Sequence, residues 1–131
     1  MKNMGLLAVV TALVCGCASA PTPEEVAAAD YGQEMKPGEC LAVVEPFIAD
    51  KMKDPGSVQF RHTDCQKGFW GSAPIFGMPH AFGYIQIGMI NAKNAYGGYV
   101  GFRPYKALIR NGAVVRHCIS DTEGICMPMG Q

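Results

Sequence analysis

No apolar stretch in this sequence reaches the roughly 20 residues that a helix needs to cross a hydrocarbon core of ~30 Å. The longest small and apolar run, from Met4 to Val14, stops well short of that. A membrane-spanning helix is therefore not expected. A charge excess is also missing: eleven Lys and Arg balance eleven Asp and Glu, and the basic residues are scattered among acids along the chain. Nucleic-acid binders normally gather a basic excess on one face, so no nucleic-acid partner is expected. The spacings that carry chemistry are absent as well. Ser57, Ser72 and Ser120 stand in no G-x-S-x-G context, and no C-x-x-C or H-x-x-x-H spacing occurs. Gly97, Gly98 and Gly101 fall in a turn and strand pattern rather than between a strand and a helix, so they do not form a phosphate cradle. Asp64, Asp121 and Glu123 lie near turns, where carboxylates are ordinarily solvated. The expectation is a chain with no catalytic residue, no cofactor and no metal.

What is present begins at the N-terminus. Lys2 precedes the apolar run, and small residues follow it, which is the order of a secretory signal. The end of the run, Leu13-Val14-Cys15-Gly16-Cys17, resembles a bacterial lipobox, in which a small residue precedes a cysteine that takes a thioether-linked diacylglycerol. That resemblance implies cleavage before Cys17 and lipidation of that residue. It also implies a membrane partner reached through the N-terminal lipid, because more than one acyl chain gives durable anchoring. Ala18 lacks the Asp that commonly retains such proteins at the inner membrane, so the outer membrane facing the periplasm is favoured. The alternative is an ordinary signal cut after Ala18-Ser19-Ala20, giving a soluble secreted or periplasmic protein.

Three regions follow from this: a signal over 1–16, a lipid anchor and flexible tether over 17–38, and one small domain over 39–131. The tether is rich in Ala, Pro, Glu and Gly with no sustained apolar period, so no packed structure is expected there. From Glu39 onward, Leu41, Val44, Ile48 and Met52 recur at three- and four-residue steps and predict a helix, kinked at Pro46 and ended by Asp54-Pro55-Gly56. Ser57 to Thr63 alternates as a strand with Val58 and Phe60 on one face. A second strand is expected over Phe82 to Asn91, with Ile85, Ile87 and Met89 sharing a face, and a third over Tyr99 to Phe102. Tyr105 to Arg110 and Ala113 to Cys118 flank Asn111-Gly112, the dipeptide of a type I′ hairpin turn. That turn pairs Ile109 with Val114 and Ala107 with Arg116, and lines one face with Tyr105, Ile109 and Val114. The fold class expected is α+β: one N-terminal helix packed on a small antiparallel sheet of about four or five strands, braced by disulfides.

Of six cysteines, Cys15 leaves with the signal and Cys17 takes lipid, so Cys40, Cys65, Cys118 and Cys126 remain. Export places them in an oxidising compartment, where the thiols of a small domain pair. Three pairings are formally open. Chain lengths favour Cys40 with Cys65, since a helix of roughly fourteen residues goes out about 21 Å and a strand of about seven returns about 23 Å. Cys118 and Cys126 then close a short loop. Strict alternation puts Cys65 on the face opposite Val58 and Phe60, and a bulge near Asp64 resolves the conflict. A metal site built from these cysteines with His62, His80 or His117 is the competing reading.

Two segments are left over as candidate binding surfaces. Gly68 to Pro79 is a long connection that is apolar yet broken by Gly and Pro, and it offers Phe69, Trp70, Ile75 and Phe76 to a partner or as a lid on the core. Asn91 to Phe102 offers Asn91, Asn94, Tyr96 and Tyr99, with Asn and Gly suited to left-handed turn positions. Asp54-Pro55-Gly56-Ser57-Val58-Gln59-Phe60 resembles a D-P-x-S-x-x-F element, and Asn91 to Phe102 an N-A-K-N-x-x-G-G-Y-x-G-F element, of small, largely uncharacterised bacterial exported proteins. The resemblance covers about residues 40 to 105 and implies export and a small helix-and-sheet fold, with no established reaction. The function expected is a non-enzymatic binding or structural module of the cell envelope, taking an envelope protein or cell-wall component. The alternative is a small periplasmic enzyme or enzyme inhibitor acting on cell-wall material.

Overall fold

The computed structural model describes residues 20–71 and 79–120. In chain order these form helices α1 (Pro23–Ala27) and α2 (Pro37–Asp50), a 3-10 turn at Pro55–Ser57, and strands β1 (Gln59–His62), β2 (Gln66–Trp70), β3 (Ala81–Asn91), β4 (Arg103–Arg110) and β5 (Ala113–Ile119). All strand pairings are antiparallel, in the order β1-β3-β4-β5, with β2 also on β3. The α+β class expected from the sequence is therefore the observed one, with a second, shorter helix and five strands.

Helix α2 begins where Pro37 supplies a ready-made first helical position and the Lys36 backbone N–H donates to Glu39 Oε2 at 2.8 Å. It runs unbroken through Pro46. Its four-residue steps bury Cys40, Val44 and Ile48 against Tyr84, Ile90, Tyr105, Ala107 and Ile109 of the sheet. Cys40 replaces the expected Leu41 as the inward residue, because the face turned to the sheet is set one residue earlier than the apolar count suggested. The helix also ends earlier than Asp54, at Asp50, and the Asp54-Pro55-Gly56 stretch leads into the 3-10 turn instead.

Residues 20–38 depart from the unpacked tether expected of them. Thr22 and Glu25 form a capping box, with Thr22 N–H donating to Glu25 Oε2 at 2.7 Å and Glu25 N–H to Thr22 Oγ1 at 3.2 Å, and Pro23 opens α1. Beyond α1 the chain docks at the β4–β5 turn. Arg110 Nη2 pairs with Asp30 Oδ2 at 2.7 Å, Gln33 N–H donates to Asn111 Oδ1 at 2.8 Å, and the Tyr31 ring meets Phe82 edge-on at 5.8 Å. These few polar and aromatic anchors order a stretch with too little apolar content to reveal itself by periodicity.

The edge of the sheet next to β3 is one ribbon in two pieces. His62 pairs with Gly88 and Gln66 with Ile85, so Thr63, Asp64 and Cys65 face only Gln86 and Ile87. That extra residue is the bulge the alternation demanded, and it turns Cys65 inward to Cys40, 25 residues away and disulfide-bonded. The fully buried Gln86 holds the bulge, donating through Nε2 to Thr63 O at 2.6 Å and Ile87 O at 3.0 Å. Cys118 is disulfide-bonded too, while the Cys126 expected as its partner lies outside the described residues, as do Cys17, Ile75 and Phe76.

The hairpin turn carries positive φ at Asn111 (51°) and Gly112 (76°), as a type I′ turn requires. Ile109 faces Val114 as expected, but Ala107 faces His117 rather than Arg116, because a register shift between Leu108 and Ile109 leaves Val115 as an extra residue on β5. On β3, Ile85, Ile87 and Met89 do share a face. It is the outer one, with Ile87 46% exposed, whereas Tyr84, Gln86 and Ile90 are buried beneath α2. The strand expected over Tyr99 to Phe102 is absent, since Tyr99 makes only an isolated bridge to Lys93.

Candidate functional site

The two segments singled out in the sequence meet different fates. Gly68, Phe69 and Trp70 belong to β2, so the connection expected from Gly68 begins only after Trp70. Phe69 is partly exposed beside Phe82, and Trp70 is half-buried with Lys106 Nζ 4.8 Å above its ring. Both therefore sit on a strand rather than in the connection. Gln66-Lys67-Gly68-Phe69-Trp70 carries no apolar alternation, so only the paired aromatics Phe69 and Trp70 hinted at a strand.

Asn91 to Phe102, by contrast, is a loop held by its own asparagines. Asn94 Oδ1 accepts from the Tyr96 N–H at 2.9 Å and the Gly98 N–H at 3.1 Å, while its N–H donates to Gly98 O at 2.8 Å and its carbonyl accepts from Gly97 N–H at 3.1 Å. Asn91, almost fully buried at the end of β3, accepts at Oδ1 from the Gly101 N–H at 3.0 Å. Ser57 then joins this loop to the 3-10 turn: its Oγ accepts from Lys93 N–H at 2.9 Å and its carbonyl from the Tyr99 hydroxyl at 3.0 Å. Arg61 covers the Phe102 ring at 3.8 Å. The two sequence elements that resembled a common pattern thus form a single structural unit. At its tip Tyr96 is 97% exposed, with Tyr99 and Val100 about half exposed beside it.

Next to this loop lies an open cavity of about 230 Å³ lined by Lys51, Met52, Lys53, Ala92, Lys93, Asn94, Val100 and Arg103. Four of the eleven Lys and Arg in the chain therefore converge here, from the end of α2, the end of β3 and the start of β4. Among the described residues no acidic side chain lines it, and none of their ion pairs involves these four cations. Residues scattered in sequence are gathered by the fold, which composition could not reveal.

A third constellation is internal. Glu45 on α2 accepts from or shares a proton with His62 Nε2 at 2.7 Å, and His62 Nδ1 meets the Tyr105 hydroxyl at 2.8 Å. Tyr105 is essentially inaccessible, and its hydroxyl is pushed up to about 12 by burial and, secondarily, by the Glu45 carboxylate. An acid–base catalyst at neutral pH needs a shift in the opposite direction and an open approach. The chain of contacts instead fastens α2 to the sheet. His80 lies 3.5 Å from Glu25 and the His117 ring packs edge-on to Phe47 at 5.0 Å. Among the described residues no three His, Cys, Asp or Glu side chains converge in a way that could hold a metal ion.

Fold and surface together define a disulfide-braced α+β domain that displays an ordered aromatic loop beside a basic cavity. No family model matches the chain, and no match is found among curated proteins or solved structures.

Proposed function

We propose that this chain is a cell-envelope lipoprotein, cut before Cys17 and tethered by lipid on that residue, whose domain is a non-enzymatic binding module using the Asn91 to Phe102 loop. The observation that carries the binding reading is Tyr96, held 97% exposed at the tip of a loop that Asn94 fixes through four hydrogen bonds. A loop ordered before contact loses little conformational freedom on binding, and a tyrosine offers a large amphipathic surface with few torsions to freeze. The partner is an envelope protein or a cell-wall component.

The docked N-terminal segment supports an orientation. Only residues 18–21 separate Cys17 from the Thr22 cap, a reach of about 17 Å when extended. The segment that follows is fastened at the β4–β5 turn and the start of β3, whereas the loop leaves the other end of β3, about 34 Å away for an eleven-residue strand. A lipid on Cys17 then holds the domain by one end, with the loop at the far end, turned toward the periplasmic space, and Ala18 after the lipidated cysteine favours the outer membrane.

Two measurements test this. Mass spectrometry of the mature N-terminus with membrane fractionation is expected to find a diacylglycerol-modified Cys17 in the membrane fraction, and an unmodified terminus at Pro21 rejects the anchor. Retention of the chain on purified cell-wall sacculi and on immobilised solubilised envelope proteins is expected to fall at least tenfold for Tyr96→Ala with circular dichroism unchanged. Equal retention removes the loop from the binding role.

A further inference from the structure

We infer that the basic cavity beside the loop is a binding site for a multiply charged oxyanion, specifically phosphate groups carried by a soluble or polymeric ligand rather than by a membrane surface. The inference rests on the reading of the adjoining loop as a binding surface and deepens it by naming a ligand chemistry.

Arg110 donates to Asp30 and to Phe82 O, Arg116 donates to Pro79 O at 2.9 Å, and Arg61 covers the Phe102 ring at 3.8 Å. Arg103, half-buried at the cavity wall, has among the described residues only the Met52 sulfur, 3.6 Å from Nη2. A thioether is a weak acceptor, so among the described residues the guanidinium meets no strong acceptor. Lys51, Lys53 and Lys93 line the same 230 Å³ space, Lys51 with its ammonium 4.9 Å from the Phe47 ring and Lys93 with its own 5.5 Å from the Tyr99 ring, and no carboxylate among the described residues lines it. Asp50 and Asp54 flank Lys51 and Lys53 in sequence yet do not line the cavity.

A plain solvated surface accounts for one or two such lysines. The carbonyl end of α2, equivalent to about half a negative charge, favours Lys51 and Lys53 at the helix terminus. It leaves most of the four positive charges uncompensated. Lys93 and Arg103 arrive from other elements, and Lys93 is positioned by its own backbone bond to Ser57 and by its ring contact to Tyr99. A phosphate group matches this set better than a single carboxylate: it brings up to two charges and several acceptor oxygens, which a guanidinium fork and converging ammonium groups can share. Ala92 and Val100 add apolar wall, which suits a ligand whose phosphate is attached to a carbon or polymer framework. Because the cavity sits at the loop end of the sheet, away from the docked N-terminal segment, an anchored domain presents it outward and not to its own bilayer.

The test uses the full exported chain purified in detergent, with pyrophosphate and long-chain polyphosphate as probes in titration calorimetry, and vesicles containing phosphatidylglycerol as a separate arm. Saturable binding of one pyrophosphate per chain is expected, weakened at least tenfold by Lys53→Gln with Lys93→Gln, and unchanged by Lys67→Gln with Lys106→Gln outside the cavity. Arg103→Lys, which keeps the charge and loses the fork, is expected to give a smaller loss than Arg103→Gln. Absence of saturable binding, or an equal loss in the control double variant, overturns the site. Vesicle binding that pyrophosphate cannot displace overturns the soluble source. Tyr96 does not line the cavity, so Tyr96→Ala failing to alter retention leaves this result standing, while a loss of pyrophosphate binding with retention intact rejects the cavity alone.

Discussion

The Tyr105 hydroxyl reaches His62 Nδ1 at 2.8 Å although a whole strand separates them. Their backbones are the neighbours of Gly88 on either side, Tyr105 on β4 and His62 on β1. A side chain at Gly88 would run into the Arg61 carbonyl oxygen and come within 2.7 Å of Tyr105 Cε1. The missing Cβ is what lets the tyrosine ring lie across β3 and close the link from sheet to helix through Glu45. Gly88→Ala is expected to destabilise the fold by about 1–3 kcal/mol, as overpacking of a filled interior does. Tyr105→Phe, which only removes the hydroxyl, is expected to cost about 1 kcal/mol. Urea unfolding of the parent and both variants ranks them, and a Gly88→Ala variant as stable as the parent would reject the close-approach role.

The pH dependence of stability has two signed arms. Burial raises the Tyr105 hydroxyl to about 12, above the ordinary tyrosine value near 10. Between those values the unfolded chain gives up this proton while the folded chain keeps it, so stability is intact below about 10 and falls as pH rises toward about 12. Desolvation, aided by Lys51, lowers His117 below the ordinary histidine value near 6.5. Here the unfolded chain takes a proton first, so stability is present above about 6.5 and declines as pH falls through the folded value. Unfolding midpoints across pH are expected to decline less on the alkaline side in Tyr105→Phe and less on the acid side in His117→Gln.

The disulfide between Cys40 and Cys65 closes a stretch of 25 residues, and chain-entropy arguments give such a closure about 2–4 kcal/mol. The double variant Cys40→Ala, Cys65→Ala is expected to lose that much in urea unfolding while keeping native circular dichroism. A loss under 1 kcal/mol would mean that the Thr63 to Cys65 bulge is fixed by Gln86 and not by the bridge.

Asn94 makes its contacts almost wholly within its own loop, so Asn94→Ala should separate loop order from global stability. Amide exchange at Tyr96 and Gly98 is expected to accelerate at least tenfold, with the unfolding midpoint shifted by under 1 kcal/mol, since these bonds are exposed and local. Unchanged exchange would show that Gly97 N–H and the Ser57 bonds suffice.

Elements with strong local grammar were legible: the amphipathic steps of α2, the Asn111-Gly112 hairpin, and the conflict at Cys65 that called for a bulge. What escaped was set by distant partners. β2 was hidden because Gln66-Lys67-Gly68-Phe69-Trp70 has no apolar alternation and β3 supplies its pairing. The inner face of β3 went unread because it carries Gln86 and Gly88, residues that make sense only once the bulge and the Tyr105 ring are in place. The capping box from Thr22 to Glu25 was written in the sequence, yet its short helix owes its order to Asp30, Tyr31 and Gln33 docking farther on. The basic cavity was invisible for a similar reason, since its cations sit 51 to 103 along the chain and meet only through the sheet.

Both outer strands of the sheet carry an irregularity: three residues against two at Thr63 to Cys65 on one side, and the extra Val115 on the other. A regular edge is a template on which another chain can add a strand, and bulged residues twist and interrupt the row of free donors and acceptors. A small domain meets copies of itself wherever it is concentrated. Its borders are built so that such meetings do not propagate into aggregated sheets.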